Sequence, residues 1–235
     1  MDKQEALKII ISCAKLYQQN LENTNLLIVS LKTRKVNFLE AKFLRGNYLH
    51  LAGVVTNNGI SAQLFYQKCL NNKLSLKDFE FKGDGTTPLK LSVLPNLMNI
   101  HKSLNMIGDF NGSKPKLYAD KLTGNIMACI GLTKSGAYYA PCTTLKEDIR
   151  PLINNQERVI AVFLKNMKEQ VYTSLTYIAK GFNNIEVEKI PVDILNKIDI
   201  DNIKSSFKIT FVKSNNEENE TKEQIASDSE TDKDN

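Results

Sequence analysis

The order of the predicted elements places this chain in the α+β class. Helical periodicity covers much of the first hundred residues, interrupted by one β-hairpin pattern, whereas residues 116–179 are a run of β-rich segments between polar turns. Helices and strands are therefore segregated along the chain and do not alternate as in βαβ proteins.

The first helix is predicted by its start signal and by its apolar face. Asp2 and Glu5 have the spacing of a capping box, in which the two residues satisfy free backbone N–H groups of the first turn. The helical pattern ends near Asn20. Its apolar positions are Leu7, Ile10, Ile11 and Ala14.

Residues 26–31 and 36–44 follow as β-rich runs on either side of a polar turn, which predicts a β-hairpin. A second helix is expected between the turn at residues 57–59 and Asn71. A third begins at Thr87 and Pro88, because proline suits the first turn of a helix. Its apolar stripe consists of Leu89, Val93, Leu97, Ile100 and Leu104.

The remaining strands predict a sheet. The composition of the C-terminal region separates an extension from an acidic tail. The β-rich segments span 116–122, 126–132, 137–142, 158–165 and 171–179. We expect one domain over 1–182 and an extension over 183–213, helical or extended, packed on it. Residues 214–235 carry eight acidic side chains against two lysines and no aromatic residue, which predicts a disordered acidic tail.

The charge balance favours an anionic partner. The whole chain carries a net charge of +5, but residues 1–213 hold 29 basic and 18 acidic side chains, a net charge of +11. Nucleic acid is the commonest partner of so basic a body. The alternative is that the chain is merely rich in lysine, which would give the same net charge without any binding role.

Several classes of protein are not supported by the sequence. No apolar run approaches the roughly 18 residues needed to cross a bilayer, and no signal peptide is evident, so we expect a cytoplasmic protein without membrane contact. The four cysteines lack metal-ligand spacing and are expected to be reduced thiols. The chain has no Walker loop, dinucleotide fingerprint or nucleophile elbow, so an enzyme here is expected to use neither cofactor nor metal.

One cofactor-free reaction suits a basic protein with few histidines, namely cleavage of RNA by its own 2′-hydroxyl. That reaction needs proton-transfer groups and a cation near the phosphorus. The segment FLRGNYLHLAGV, residues 43–54, contains His50, one of two histidines. Its ordinary pKa, about 6.5, suits proton transfer. The alternative is a hydrogen-bonded structural histidine, which is also our interpretation of His101.

Five sequence blocks together resemble a known family. They are GNYLHLAGV, AQLFYQKCLNNKLSLKDFEF, TPLKLSVLPNL, ADKLTG and YYAPCTTLKEDIR, between about residues 20 and 180. In this order they are similar to the fourth phage group of nucleases in the barnase, EndoU, colicin and RelE-like superfamily. The resemblance implies a small antiparallel sheet packed against N-terminal helices. It also implies a metal-independent endoribonuclease of a phage or mobile element, used as a toxin or in conflict, with RNA as substrate and an immunity or antitoxin protein as a further partner.

The matching positions supply candidate catalytic residues. His50 is the motif histidine, expected to act as general acid or base. Lys90 follows the Thr-Pro break and would supply a cation to the phosphate and transition state. Thr143 lies in the last block and would donate a hydrogen bond to a phosphate oxygen. Alternatively, Lys90 is a solvated helix residue and Thr143 caps a turn.

Three further positions are candidates for substrate binding. Arg150 would bind phosphate in a bidentate way, unless it pairs with Asp148 or Glu147. Tyr138 and Tyr139 face opposite sides of a predicted strand, so one is expected in the core and the other could stack on a base.

Ala52 departs from the family pattern, in which a threonine is common at this place. If that hydroxyl takes part in catalysis, the chain would be an inactive module that binds RNA or protein with the same fold. A third hypothesis is that the chain is a structural protein of the mobile element.

Overall fold

The structure is a computed structural model that describes residues 1–57, 59–114, 116–182, 184–186, 190–205 and 210–212. Within these ranges helices and a sheet are combined, which confirms the predicted α+β class. The helices are α1 (Lys3–Asn20), α2 (Asn47–Ala52), α3 (Ala62–Leu70), α4 (Thr87–Leu97) and α5 (Val192–Leu195), with 3-10 turns at Ile100–Lys102 and Arg150–Leu152. The strands are β1 (Thr24–Lys32), β2 (Lys35–Phe43), β3 (Val54–Thr56), β4 (Phe79–Phe81), β5 (Met106–Phe110), β6 (Lys121–Gly124), β7 (Cys129–Ser135), β8 (Tyr138–Leu145), β9 (Ile153–Asn166), β10 (Ser174–Ile178), β11 (Asn184–Glu186), β12 (Lys204–Ser205) and β13 (Thr210–Val212).

Helix α1 forms where its start signal predicts. The Asp2 carboxylate accepts a hydrogen bond from the backbone N–H of Glu5 at 2.7 Å. The helix ends at Asn20, as expected. Its fully buried face lies slightly to one side of the predicted stripe, and it consists of Ala6, Ile10, Cys13, Ala14 and Tyr17.

The sheet is larger than the resemblance implied. Among the described strands, nine form one sheet in the order β1-β2-β8-β7-β6-β5-β9-β10-β12, and β1 also pairs with β9, so the sheet closes into a barrel-like structure. The expectation of a small sheet is therefore wrong. The reason is the length of β9, which is 14 residues. It pairs with β1 along one edge and with β5 and then β10 along the other.

The barrel is interrupted between β2 and β8, and α2 fills the gap. These two strands run parallel and share a single described residue pair. Beyond it, the Asn47 amide donates to the carbonyl of Pro141 at 3.2 Å, and the Thr144 hydroxyl donates to the carbonyl of Leu51 at 2.9 Å. Helix α2 thus takes the place of a neighbouring strand along this edge of β8.

One face of the sheet packs on helices α1 to α4 and forms the main core. The described residues of the C-terminal extension lie on another part of the sheet. Ile198 is buried in a cluster with Leu27 and Phe163, β12 pairs in parallel with β10, and the Lys197 ammonium lies 2.7 Å from the Glu40 carboxylate. The acidic tail at 214–235 lies outside the described residues.

Helix α4 is shorter than its apolar pattern and rotated from it. It ends at Leu97, so Ile100 and Leu104 are buried beyond its end. Leu89, expected on the buried face, is 52% exposed, whereas Lys90 is 7% exposed. A polar partner on β8 makes this burial of a lysine possible.

Candidate active site

His50 projects from a short helix that is firmly anchored. Tyr48, Leu51 and Ala52 are fully buried, and the Tyr48 hydroxyl donates to the carbonyl of Ile10 in α1 at 2.5 Å. His50 lies on the other face of α2 and is exposed. The anchored face therefore fixes the helix while the imidazole remains accessible.

Gly53 ends α2 and brings it against the start of α4. Its φ of +66° is a left-handed conformation, which glycine adopts without strain. Its carbonyl accepts a hydrogen bond from the Thr87 hydroxyl at 2.7 Å, and the same hydroxyl accepts one from the backbone N–H of Lys82 at 2.9 Å. A methyl group at position 53 would collide with Cδ of Lys90. Because Gly53 has no side chain, the Lys90 side chain has room beside it to reach Thr143.

Lys90 and Thr143 form a buried polar pair between α4 and β8. The lysine Nζ donates to Thr143 Oγ1 at 2.7 Å, and the two residues are only 7% and 9% exposed. Within the described part of the chain no carboxylate lies within ion-pair distance of Lys90. A buried cation without a counter-charge is costly, and such groups are more frequent at functional sites.

A β-bulge presents Thr143 to the lysine. Thr143 pairs with Gly131 of β7, but the next pair joins Leu132 to Pro141, so Cys142 is the extra residue on β8. A methyl group on Gly131 would lie 2.7 Å from the Thr143 methyl and 3.4 Å from the Cys142 sulfur. Bulges often re-aim side chains beside active sites, and here the bulge places two consecutive side chains against the same glycine.

Burial and neighbouring cations set the proton affinities of the site. Partial burial lowers the pKa of His50 below its ordinary value, and the positive charges of Lys82 and Lys90 lower that pKa further. Burial also lowers the pKa of Lys90, aided by Lys82 and opposed by the carboxylate of Asp84. The imidazole of His50 is therefore neutral at pH 7 and able to accept a proton.

The other predicted site residues make contacts elsewhere. The guanidinium of Arg150 binds the Asp148 carboxylate through Nε at 2.9 Å and Nη2 at 2.5 Å, and this contact raises the pKa of Arg150 and lowers that of Asp148. Tyr139 packs on the main core, and the Tyr138 ring lies 4.1 Å from the Lys42 ammonium. Lys90 and Thr143 are in direct contact, and the charge of Lys90 acts on His50. We call these three residues the candidate cluster.

A family model described as phage-Barnase-EndoU-ColicinE5/D-RelE like nuclease4 matches residues 9–181. The chain belongs to this nuclease family. No curated protein and no solved structure matches it. The matched range contains the whole candidate cluster, and nucleic acid is the substrate class of a nuclease.

Two structural features are absent from the described part of the chain. Within the described residues, no three or more acidic, histidine or cysteine side chains are grouped so that they could hold a metal ion. None of the helices in the same part of the chain is long and apolar enough to cross a bilayer.

Ala52 is the position at which the sequence resemblance predicts a departure from the family pattern. Its side chain is fully buried in the main core. His50, two residues earlier on the same helix, is exposed. A hydroxyl at position 52 would therefore face the core and not the solvent side of the imidazole.

Two residues near the candidate cluster were not predicted from the sequence. Lys82 acts through its charge on His50 and Lys90, but it resembles any surface lysine in the sequence. Tyr118 is fully exposed, and its carbonyl accepts a hydrogen bond from Cys142 at 3.4 Å. The sequence signal for Tyr118 is the alternation of lysine and tyrosine in KPKLY, whose last three residues begin the predicted strand at 116–122.

Proposed function

We propose that this protein is a metal-independent endoribonuclease that cleaves RNA by attack of a 2′-hydroxyl on the adjacent phosphate. The observation that carries the proposal is the Lys90–Thr143 pair: Lys90 is buried, has no ion-paired carboxylate among the described residues, and donates to Thr143. Its charge also lowers the pKa of His50. These three residues come from α4, β8 and α2.

In the proposed reaction, the neutral imidazole of His50 removes the proton of the 2′-hydroxyl. The 2′ oxygen then attacks phosphorus, the bond from phosphorus to the 5′ oxygen breaks, and the 5′ oxygen takes up a proton from water. The proton held by His50 returns to solvent and restores the neutral imidazole. The ammonium of Lys90 stabilises the charge that develops on the phosphoryl oxygens. The expected products are a 2′,3′-cyclic phosphate and a 5′-hydroxyl.

Thr143 is a positioning residue for Lys90 in this scheme. Its oxygen accepts one of the three N–H donors of the ammonium. Two donors remain for phosphate oxygens, whereas the Thr143 hydroxyl itself donates to the carbonyl of Thr144 at 3.5 Å. The Lys90–Thr143 pair would thus form the phosphate-binding side of the site, opposite the imidazole.

The test is incubation of the purified protein with total RNA in excess EDTA. We expect cleavage products that end in cyclic phosphates. Loss of general base catalysis in His50→Ala should lower kcat/KM by roughly 100-fold or more, as should loss of the cation in Lys90→Met. RNA binding without cleavage would instead support the inactive binding module.

We also propose that the nuclease acts in conflict between a phage or mobile element and its host, with an immunity protein as a partner. The family is phage-associated. Expression in a bacterial host should arrest growth, and His50→Ala should restore it. Equal arrest by both proteins would contradict a nuclease-based toxin.

A further inference from the structure

Beside the candidate cluster, one aromatic ring lies entirely in solvent. Tyr118 is 100% exposed, the highest value among the large apolar and aromatic side chains of the described residues. Burial of an aromatic ring is favourable, so a ring left completely in water beside a candidate active site suggests a role in binding.

The backbone at Tyr118 and Asp120 is hydrogen-bonded to neighbouring strands of the sheet. The Cys142 thiol donates to the carbonyl of Tyr118 at 3.4 Å. Two residues on, the N–H of Asp120 donates to the carbonyl of Leu132 at 2.8 Å, and the Asp120 carbonyl accepts from Phe110 at 2.9 Å. The ring therefore extends from a segment that is fixed next to the bulge at Cys142 and Thr143.

The residues around Tyr118 alternate between solvent and protein. Lys114, Lys116 and Tyr118 are exposed, whereas Leu117 and Ala119 are partly buried against a hydrophobic cluster of the sheet. Lysines interleaved with an aromatic ring on one side of an extended segment are the combination that single-stranded nucleic acids bind, through phosphates and stacked bases.

We propose that residues 116–118 bind a single-stranded stretch of RNA next to the scissile phosphate. The Tyr118 ring stacks on an unpaired base, and the Lys116 ammonium contacts a backbone phosphate. Because a base within a duplex has both faces covered, this site selects unpaired RNA. The inference rests on the proposed endoribonuclease function, whose substrate it narrows.

Binding is measured by fluorescence anisotropy at one fixed salt concentration, with His50→Ala as the parent protein so that RNA stays intact. The probes are a single-stranded RNA of about eight nucleotides and the matching duplex. Tyr118→Ala should weaken binding of the single strand roughly 5- to 100-fold and leave duplex binding unchanged. Tyr118→Phe, which keeps the ring, should restore most of the lost affinity.

Lys116→Ala has a matched control in Lys168→Ala. Both lysines are exposed, but Lys168 lies beyond the far end of the 14-residue β9, roughly 40 Å from the end that pairs with β5. Lys116→Ala should weaken binding of the single strand more than Lys168→Ala does. Equal losses for the two lysines would overturn the contact at Lys116.

Unchanged single-strand affinity in Tyr118→Ala, equal losses on both probes, or no binding by the parent would overturn the proposal. Cleavage by the protein with His50 intact is measured separately. If that protein does not cleave RNA but Tyr118→Ala still loses single-strand affinity, the endoribonuclease function fails and the binding site stands. If cleavage occurs and Tyr118→Ala alters neither binding nor KM, the endoribonuclease function stands and the binding site fails.

Discussion

At the level of single residues, the bond between Lys90 and Thr143 should affect stability as well as the proposed activity. Thr143→Val keeps the branched shape but leaves a buried ammonium without its hydroxyl partner, at a cost of about 1–3 kcal/mol in the free energy of unfolding. Lys90→Met removes that charge. The double variant should therefore be nearly as stable as Lys90→Met alone, measured by urea denaturation. Additive losses would show that the two residues are not coupled.

The proton affinity of His50 predicts the pH dependence of cleavage. If His50 is the base, kcat/KM rises with pH as the imidazole loses its proton and is level above that pKa. Because burial, Lys82 and Lys90 lower this pKa, the inflection should lie below about 6.5. Lys82→Met removes one of the cations and should move the inflection upward. A rate that falls as pH rises through neutrality would instead make His50 an acid.

His101 should make the protein sensitive to acid. It is 4% exposed, its Nδ1 has no partner among the described residues, and burial followed by the charge of Lys102 lowers its pKa to about 4. The unfolded state, with a histidine pKa near about 6.5, takes up a proton first, so stability falls as pH drops from about 6.5 towards about 4.

The loss attributable to His101 is roughly 3 kcal/mol. It is measured as the dependence of the urea midpoint on pH. His101→Leu should flatten this dependence whatever its effect on stability at pH 7. An unchanged slope in His101→Leu would assign the acid sensitivity to other groups.

At the level of elements, the junction of α2 and α4 depends on one glycine. Gly53 and Gly59 both have φ +66°, so alanine strains the backbone equally at either position. Only at Gly53 would the added methyl group displace Lys90, whereas nothing lies within 4 Å of it at Gly59. Gly53→Ala should lower kcat/KM at least tenfold more than Gly59→Ala. Equal losses would mean that the position of Lys90 is not critical.

Elements with local signals could be predicted from the sequence, and those that depend on distant partners could not. The first helix and the hairpin agree to within about two residues, because a capping side chain and a polar turn act over short distances. The polar first half of β9, at residues 153–157, was missed because its side chains are mostly exposed while its backbone pairs with β5.

The rotation of α4 shows that the candidate site, too, could not be predicted where it depends on partners distant in the sequence. The apolar pattern predicted Leu89 inside and left a solvated Lys90 as the alternative to a catalytic one, but the hydroxyl that receives Lys90 is 53 residues away in the sequence. Family resemblance selected Lys90 and Thr143 without showing that they touch. It also selected Arg150, whose guanidinium is already bound by Asp148, a local pairing that the sequence offered as an alternative.

At the level of the whole molecule, the acidic residues at 214–235 oppose the basic charge of residues 1–213. Removal of the tail changes the net charge from +5 to +11. RNA affinity at low salt should rise, and its dependence on salt should become steeper, because more counterions are released from the RNA. The control replaces the eight acids by amides at constant length. It keeps the two tail lysines, so its net charge is +13, and its affinity for RNA should be at least that of the deletion. Unchanged affinity at low salt would contradict shielding by the tail.

The pairing of β1 with β9 also has a consequence for the timing of synthesis. The ring of strands joins residues 24–32 to residues 158–166, so it cannot close until most of the domain has left the ribosome. Contacts between such distant segments make folding slow. If the protein is the proposed ribonuclease, this order would delay the competent enzyme until translation of the strand that completes the barrel. The proposed immunity partner would therefore meet a competent enzyme only after β9 has been made.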